Sequence, residues 1–312
     1  MAGHHHHHHL EANAGDRRVA LAVAVNLLLT VAQVIGGAVS GSLSLIADAL
    51  HNFSDAISLI IAFLARRIAR RPSDATMTFG YARAEVVAAL INYTTLIVIG
   101  LYLVYEAVLR FIEPEPVAGW IIVAVAGVAL VIDLVTALLT YALSKESMNI
   151  RAAFLHNVAD ALGSVGVIVA GSLILLYDWW IVDPIVTLLI AGYILWQAFS
   201  EIGGAIRMLM LGTPGDIDVG DVVAALRAMG SVEDVHHVHV WAIDESSNAL
   251  EAHLVVADVR ASEVEGIKRE VKALLSERFA IGHATLELEL ASATCTQADT
   301  VIGHDMHAGH NH

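Results

Sequence analysis

The sequence predicts a polytopic α-helical membrane protein: six transmembrane helices followed by a small C-terminal α+β domain of order αββαβ. Three observations carry that prediction. Of 312 residues 57% are hydrophobic and only 16% charged, where a soluble domain carries about 25% charge; the mean hydropathy is +0.67. The apolar residues gather into six long runs, each about long enough to cross a ~30 Å hydrocarbon core as a helix. After residue 212 the pattern changes to alternating strands and amphipathic helices.

Taking the elements in order, MAGHHHHHH at the start reads as an expression tag. Residues 1–15 are therefore set apart as tag and N-terminal tail, with six of the 17 histidines. No cleavable signal peptide is evident. The apolar runs cover roughly residues 18–40, 42–65, 82–112, 117–143, 149–177 and 181–210, which makes 16–211 the membrane domain. Gly41, Pro114, Pro116, SKESMN and YDWWIVDP punctuate them. Arg66, Arg67, Arg70, Arg71 and Arg83 surround the loop between spans two and three, and Lys145 and Arg151 flank the loop between spans four and five. The opposite loops carry Glu113, Glu115, Asp178 and Asp183 and no lysine. The excess of basic residues marks the cytoplasmic side, so six spans leave both termini in the cytoplasm. A bacterial inner (cytoplasmic) membrane is the expected location.

In the remainder, DVGDVVAALRAM is helical in period, VEDVHHVHVWAI and ALEAHLVVADV read as strands, and HATLELEL reads as a last strand. SEVEGIKREVKALLSERF is an amphipathic helix opening on a capping box, Ser262 with Glu265. Residues 212–292 form a two-layer α+β domain on this reading, and 293–312 a His-rich tail expected to be disordered. The net charge of −15 is concentrated after residue 212, which argues against a nucleic-acid partner. The single cysteine, Cys295, excludes an intramolecular disulfide and a Cys-rich zinc module.

Two apolar spans carry the same polar motif. Span two reads ALHNFSDA and span five FLHNVADA. Residues four apart share a helix face, so His51 and Asp55 point at one spot, as do His156 and Asp160. If the two spans pack together, two imidazoles and two carboxylates converge into a tetrahedral site for zinc or a similar divalent ion. Ala159, Gly163 and Gly166 would let the helices approach closely. Asp48 shares the face one turn earlier, as an access or outer-shell group. The plainer alternative is polar glue between helices. A doubled pair outweighs it, because intramembrane ionisable groups are costly and mark ion paths. With neutral imidazoles the empty site carries two negative charges. Either a dication or protons neutralise it, which is the physical core of an antiporter.

These motifs, with FGYARAE at 79–85 and GTPGDID at 212–218, resemble the cation diffusion facilitator (CDF) family, most closely its zinc-transporting branch. The resemblance runs over nearly the whole chain after the tag. It implies a homodimer in membrane lipid that exports Zn²⁺ from the cytoplasm in exchange for H⁺ by alternating access. It also implies a metallochaperone-like cytoplasmic domain that pairs across the dimer and binds further metal. The ligand positions carry over to His51, Asp55, His156 and Asp160. Four departures stand out. The loop between spans two and three has one aspartate, Asp74, no histidine, and Tyr81 where some members have histidine, so a loop metal site is expected to be weak or missing. Leu211 stands where relatives commonly have an acid before GTP. Arg83, which in some relatives pairs with an acid near the end of span six as a dimer or gating charge, needs another partner here, such as Asp216 or Asp218. Asp133 in span four is the fourth departure, standing where the resemblance implies a neutral polar group; it has three readings: a proton relay, a partner for Asn26 or Gln33, or a helix-packing residue.

On a strand alternate residues face opposite sides, so His237 and His239 are expected on one face and His236 on the other, with His253 on the neighbouring strand. The resemblance favours His236, His253 and Glu289 as cytoplasmic metal ligands, then His239 and His283. The alternative is ordinary strand histidines with satisfied hydrogen bonds. His304, His307, His310 and His312 are spaced for loose chelation, to which Cys295 would add a thiolate; an idle polar tail is the competing reading. Other divalent ions (Cd²⁺, Co²⁺, Ni²⁺, Mn²⁺, Fe²⁺) and a non-transporting membrane-anchored sensor are the alternative functions. An intramembrane metalloenzyme fits poorly, because four ligands fill the coordination shell and no HExxH motif is present.

Overall fold

A computed structural model describes the backbone of residues 9–141, 148–244, 246–257, 261–295 and 300–303. Within those ranges the side chains of 9–23, 26, 59, 139, 140, 148–153, 156, 261 and 262 lie outside the description. Six long helices come first: α1 (His9–Ser40), α2 (Leu43–Ala69), α3 (Ala84–Ile112), α4 (Gly119–Tyr141), α5 (Met148–Tyr177) and α6 (Val182–Leu209). Then follow α7 (Val219–Arg227), β1 (Asp234–Ala242), β2 (Asn248–Val256), α8 (Ala261–Phe279) and β3 (Ile281–Leu290). The chain divides into two compact units, Met1–Phe63 with Ile91–Ile202, and Leu64–Leu90 with Gly203–His312.

Among the described residues five helices, α2 to α6, are long and apolar enough to cross a membrane, not the six expected. In α1 the described apolar run is Leu27–Ser40, shorter than the ~20 residues that a crossing requires. The outer faces of the helices are greasy. Leu28 and Val39 of α1, Phe63 of α2, Leu138 of α4, Leu176 of α5 and Phe199 of α6 are all exposed, as befits surfaces whose solvent is lipid. Trp120, Trp179 and Trp180 are exposed at the α3–α4 and α5–α6 ends of the bundle, where an aromatic belt belongs.

Inside the bundle two small apolar clusters share α2. Leu45 packs with Ile122, Val167 and Ile174, and Ala47 with Leu96, Leu103 and Ile194. The α1–α2 break is made by Gly41 at φ +74°, a conformation that favours glycine. The start of α2 is then capped by a distant acid. Leu43 N donates to Asp183 Oδ2 at 2.7 Å, and Ser44 N and the Ser42 and Ser44 hydroxyls donate to Oδ1 at 3.2, 2.6 and 2.6 Å. A carboxylate at a helix N-terminus satisfies orphan donors and suits the macrodipole. Asp183, read from sequence as a loop acid, is therefore a buried anchor between α6 and α2. α4 crosses α5 closely. A Cβ on Gly119 would meet Gly171 O at 2.6 Å, and one on Gly171 would meet Ile122 at 2.8 Å.

In the second unit the sheet has order β1-β2-β3, with β1 antiparallel and β3 parallel to β2. The parallel pair needs a crossover, which α8 supplies. Val222 and Leu226 of α7 and Ile267, Val271 and Leu275 of α8 bury one face of the sheet against Val240, Leu250 and Leu254. Strand alternation then sends Glu251 and His253 of β2, and Glu287 and Glu289 of β3, to the helix-free face. The side chain of Ser262, half of the expected capping box, lies outside the described residues. The loop aspartate Asp74 accepts from Thr76 N, Thr76 Oγ1 and Met77 N on Oδ1 and from the Tyr81 hydroxyl on Oδ2. Those donors hold its carboxyl well below the usual range, the Thr76 and Tyr81 hydroxyls most of all.

Candidate metal centres

In α2 the polar positions 48, 51, 52 and 55 recur at helical spacing and form one polar stripe. His51 is 7% exposed. Its Nε2 lies 3.7 Å from Asp55 Oδ2 on its own helix and 3.3 Å from Asp160 Oδ1 on α5. A tetrahedron with ~2.0–2.1 Å bonds has edges of about 3.3–3.5 Å, so the three groups stand near coordination distance. One ligand atom from each lies within 4.8 Å of the others. His156 sits on α5 four residues before Asp160, and its side chain lies outside the described residues.

Beside this trio is a cavity of about 350 Å³ lined by Asp48, His51, Ala159, Asp160, Gly163 and Tyr193, among others. The small residues of α5 line this cavity: a Cβ on Gly163 would stand 3.7 Å from Asp48 Oδ1 of α2, and one on Gly166 3.9 Å from Val186 of α6. Tyr193 of α6, which sequence reading missed, presents an edge to the His51 ring at 6.1 Å; nothing local marks it, since α6 carries no polar motif.

Asp48 lines the cavity, and its Oδ2 accepts from Gln33 Nε2 of α1 at 2.5 Å. Gln33 Oε1 in turn accepts from Asn52 Nδ2 at 3.1 Å. That chain ties α1 to the motif helix through Asn52, the second letter of the His-Asn pair, to which sequence reading gave no role. Asp133 is 6% exposed and accepts from Ser164 Oγ of α5 at 3.2 Å. Gln33 goes to Asp48 instead, and Asn26, the other expected partner, has its side chain outside the described residues.

The sheet domain holds a second cluster. His236 is wholly buried, and its Cα pairs directly with that of His253 across the β1–β2 ladder. His253 Nδ1 is 2.7 Å from Glu289 Oε1, and His236 Nε2 is 3.4 Å from Glu289 Oε2. Cys295 completes the group: its Sγ is 3.2 Å from His236 Nε2, and its N donates to Glu289 Oε2 at 2.9 Å. One ligand atom from each of the four lies within 4.8 Å of the rest. Burial pushes the Glu289 carboxyl up, but the Cys295 amide and the two imidazoles more than offset that and hold it below its ordinary range. Nδ1 of His236 is buried without a hydrogen-bond partner, unusual for a satisfied core histidine. Two imidazoles, a carboxylate and a thiol are a donor set that suits zinc.

The strand histidines do not alternate as expected. A β-bulge interrupts the register between His236 and His239, and His237 takes φ +51°, a region that histidine enters more readily than most residues. The bulge brings His237 beside its neighbour: its ring is 5.1 Å from that of His236 and 4.8 Å from that of His253. His239 pairs with Glu251 instead and lines a separate cavity of about 480 Å³ with Trp241 and Thr213. His283 turns its ring to Phe79 at 6.1 Å. Neither belongs to the four-residue cluster. Cys295, read with the tail histidines, belongs to it; His304, His307, His310 and His312 lie outside the described residues. Arg83 pairs with neither Asp216 nor Asp218. Its Nε donates to Ile243 O at 3.0 Å and its Nη2 to Ala242 O at 2.9 Å, closing the end of β1.

Comparison with known proteins matches residues 19–210 to the cation efflux transmembrane domain and 214–291 to the cation efflux protein cytoplasmic domain. The chain is 38% identical over 83% of its length, and 84% of the relative's, to the cadmium, cobalt and zinc/H⁺-K⁺ antiporter of Bacillus velezensis. It is 33% identical to the zinc transporter ZitB of Escherichia coli, over 97% of each. Among solved structures, the metal-bound C-terminal domain of the CzcD transporter from Cupriavidus metallidurans aligns with 24% of this chain and 100% of its own, at 30% identity and a TM-score of 0.22.

Proposed function

The chain belongs to the cation efflux (cation diffusion facilitator) family, and from that premise we propose that it exports Zn²⁺ from the cytoplasm in exchange for H⁺. The relatives matched are transporters and antiporters by name, not enzymes. The observation that carries the reading is His51 Nε2 standing 3.7 Å from Asp55 and 3.3 Å from Asp160 beside a cavity, with one ligand atom of each of the three within 4.8 Å of the others. His156, on the same helix as Asp160, completes a His₂Asp₂ site on this proposal. The sixth crossing on this proposal is α1, whose apolar run in the sequence, 18–40, extends beyond the part with described side chains. Residues 16–211 form the membrane domain and 212–292 a metallochaperone-like regulatory and dimerisation domain of a homodimer, with both termini cytoplasmic in a bacterial inner membrane.

The mechanism follows from charge. His51 and His156 bind as neutral imidazoles, and Asp55 and Asp160 as carboxylates. The filled site is neutral with a dication, and the empty one takes up protons in its place. Exporting a dication against ~100 mV, negative inside, costs about 4.6 kcal/mol, and the return of one proton roughly halves that. Asp48, steadied by Gln33, and Asp133, held by Ser164, carry protons to and from the site. Relative tilting of α2 and α5 opens the pocket to alternate sides. Mixed nitrogen and oxygen donors favour Zn²⁺, with Cd²⁺ and Co²⁺ as competing cargoes. Within the sheet domain His236, His253 and Glu289 hold a regulatory or structural zinc.

The test is flux into sealed proteoliposomes. Wild-type protein should move Zn²⁺ faster under an opposing pH gradient, and His51→Ala, Asp55→Ala, His156→Ala and Asp160→Ala should each stop it while the protein stays folded. Zinc flux indifferent to the pH gradient would remove the antiport step. Retained flux in the four variants would remove the site.

A further inference from the structure

Resting on the proposed metal binding by the sheet domain, we infer that Cys295 is the fourth ligand of that site, and that the bound metal fastens the chain's last described segment to the open edge of β1. The sheet order leaves β1 at an edge, and an edge strand presents unpaired backbone groups. Residues 300–303 occupy that edge. His237 N donates to Thr300 O and Val238 N to Val301 O, both at 2.9 Å, Gly303 N donates to Val238 O at 3.0 Å, and Val238 bridges Ile302 in parallel. The segment leaves β3 on one side of the sheet and reaches β1 on the other, and Cys295 lies on the way.

The four donors therefore come from four different pieces of chain: His236 from β1, His253 from β2, Glu289 from β3 and Cys295 from the crossover. A divalent ion held by all of them links every strand of the sheet to the segment that covers its edge. The thiol gives up its proton on binding, so thiolate and carboxylate together neutralise a dication. Without sulfur the site has three hard or borderline donors; with it the preference moves toward softer ions such as Cd²⁺. The bulge places His237, whose amide holds Thr300, next to the ligand His236, so loss of metal and loss of the edge strand are mechanically joined.

Because Cys295 is the chain's single cysteine, its chemistry can be followed in the intact protein in detergent. Addition of Cd²⁺ should produce an ultraviolet sulfur-to-metal charge-transfer band. Zn²⁺ should slow alkylation of the thiol by about tenfold or more, because a thiolate held by metal is withheld from the reagent. His236→Ala should abolish both effects although the cysteine remains, whereas Asp160→Asn should leave both intact. Amide hydrogen exchange at 237–238 and 300–303 should slow with metal in the wild type and not in Cys295→Ser. If the wild type gives no band while His236→Ala still removes a Cd²⁺-binding equivalent, the sheet site binds metal without the cysteine and the inference is wrong. If no Cd²⁺ binding depends on His236 at all, the underlying metal reading falls and takes the inference with it. A band accompanied by unchanged exchange at 300–303 refutes the fastening.

Discussion

Around His51 the donors come from two helices, with a cavity of about 350 Å³ alongside. Around His236 they come from three strands and a crossover, with each strand tied to the next by a ladder and the central histidine wholly buried. Similar chemistry is thus mounted on two kinds of frame. On the proposed reading the helices tilt against each other beside that cavity. A sheet ladder resists relative movement of its strands, since sliding by one residue turns each side chain to the other face. On the proposed reading the first mounting suits cargo that must leave, and the second suits a resident ion.

The sharpest break in this comparison is Asp160→Ala. It should cut Zn²⁺ flux in proteoliposomes by roughly 100-fold or more, beyond the 10–100-fold typical of groups one shell further out, while metal binding that depends on His236 persists. The converse variant, Glu289→Gln, should weaken His236-dependent zinc binding by about 10- to 100-fold and leave the flux above half of wild type. Equal flux losses in the two variants would erase the distinction between cargo and resident ion.

Two further variants probe the frame around the membrane site. Asp183→Ala strips four donors of their acceptor at the start of α2. It should destabilise the bundle by about 1–3 kcal/mol, read as a lowered midpoint of thermal unfolding in detergent. Gly171→Val drives a side chain into Ile122 and should cost about 1–3 kcal/mol. Neither should touch zinc binding by the sheet domain. The smallest effect belongs to Asp74. Its folded-state carboxyl is depressed, so its contribution is present above the ordinary aspartate pKa and lost as pH falls through the folded value. Asp74→Asn should modestly raise proteolysis around residues 72–82 at neutral pH, and the difference from wild type should shrink in acid.

Much of the long-element pattern was legible because hydrophobic period and breakers are local. Apart from the start of α1, which lies at His9 and not near residue 18, the apolar runs end within a few residues of the helices, and HATLELEL alternates as β3 does, with Leu286 and Leu288 turned to the core and Glu287 and Glu289 away. The meeting of the two His-Asp helices was legible only as a conditional, since spacing puts His51 and Asp55 on one face but says nothing of which helix that face meets. The bulge after His236 was not legible: a strand rule assumes unbroken alternation, and one residue at positive φ re-aims its neighbours. Cys295 was read with the tail because it is close to those histidines in sequence, whereas in space it lies on His236, 59 positions away. Arg83 was sought among acids, yet it binds two backbone carbonyls, acceptors that every sequence offers everywhere.

Residue order alone determined the helix and strand types, the faces of the unbroken elements, and the repeated imidazole–carboxylate spacing, because each is a short-range property of side-chain period and backbone sterics. Which helices close on His51, which loop delivers sulfur to His236, and which acid caps α2 were decided by tertiary packing. Those contacts join residues 59 to 141 positions apart, and such partners are chosen by the shape and burial of the whole fold, which no local pattern contains.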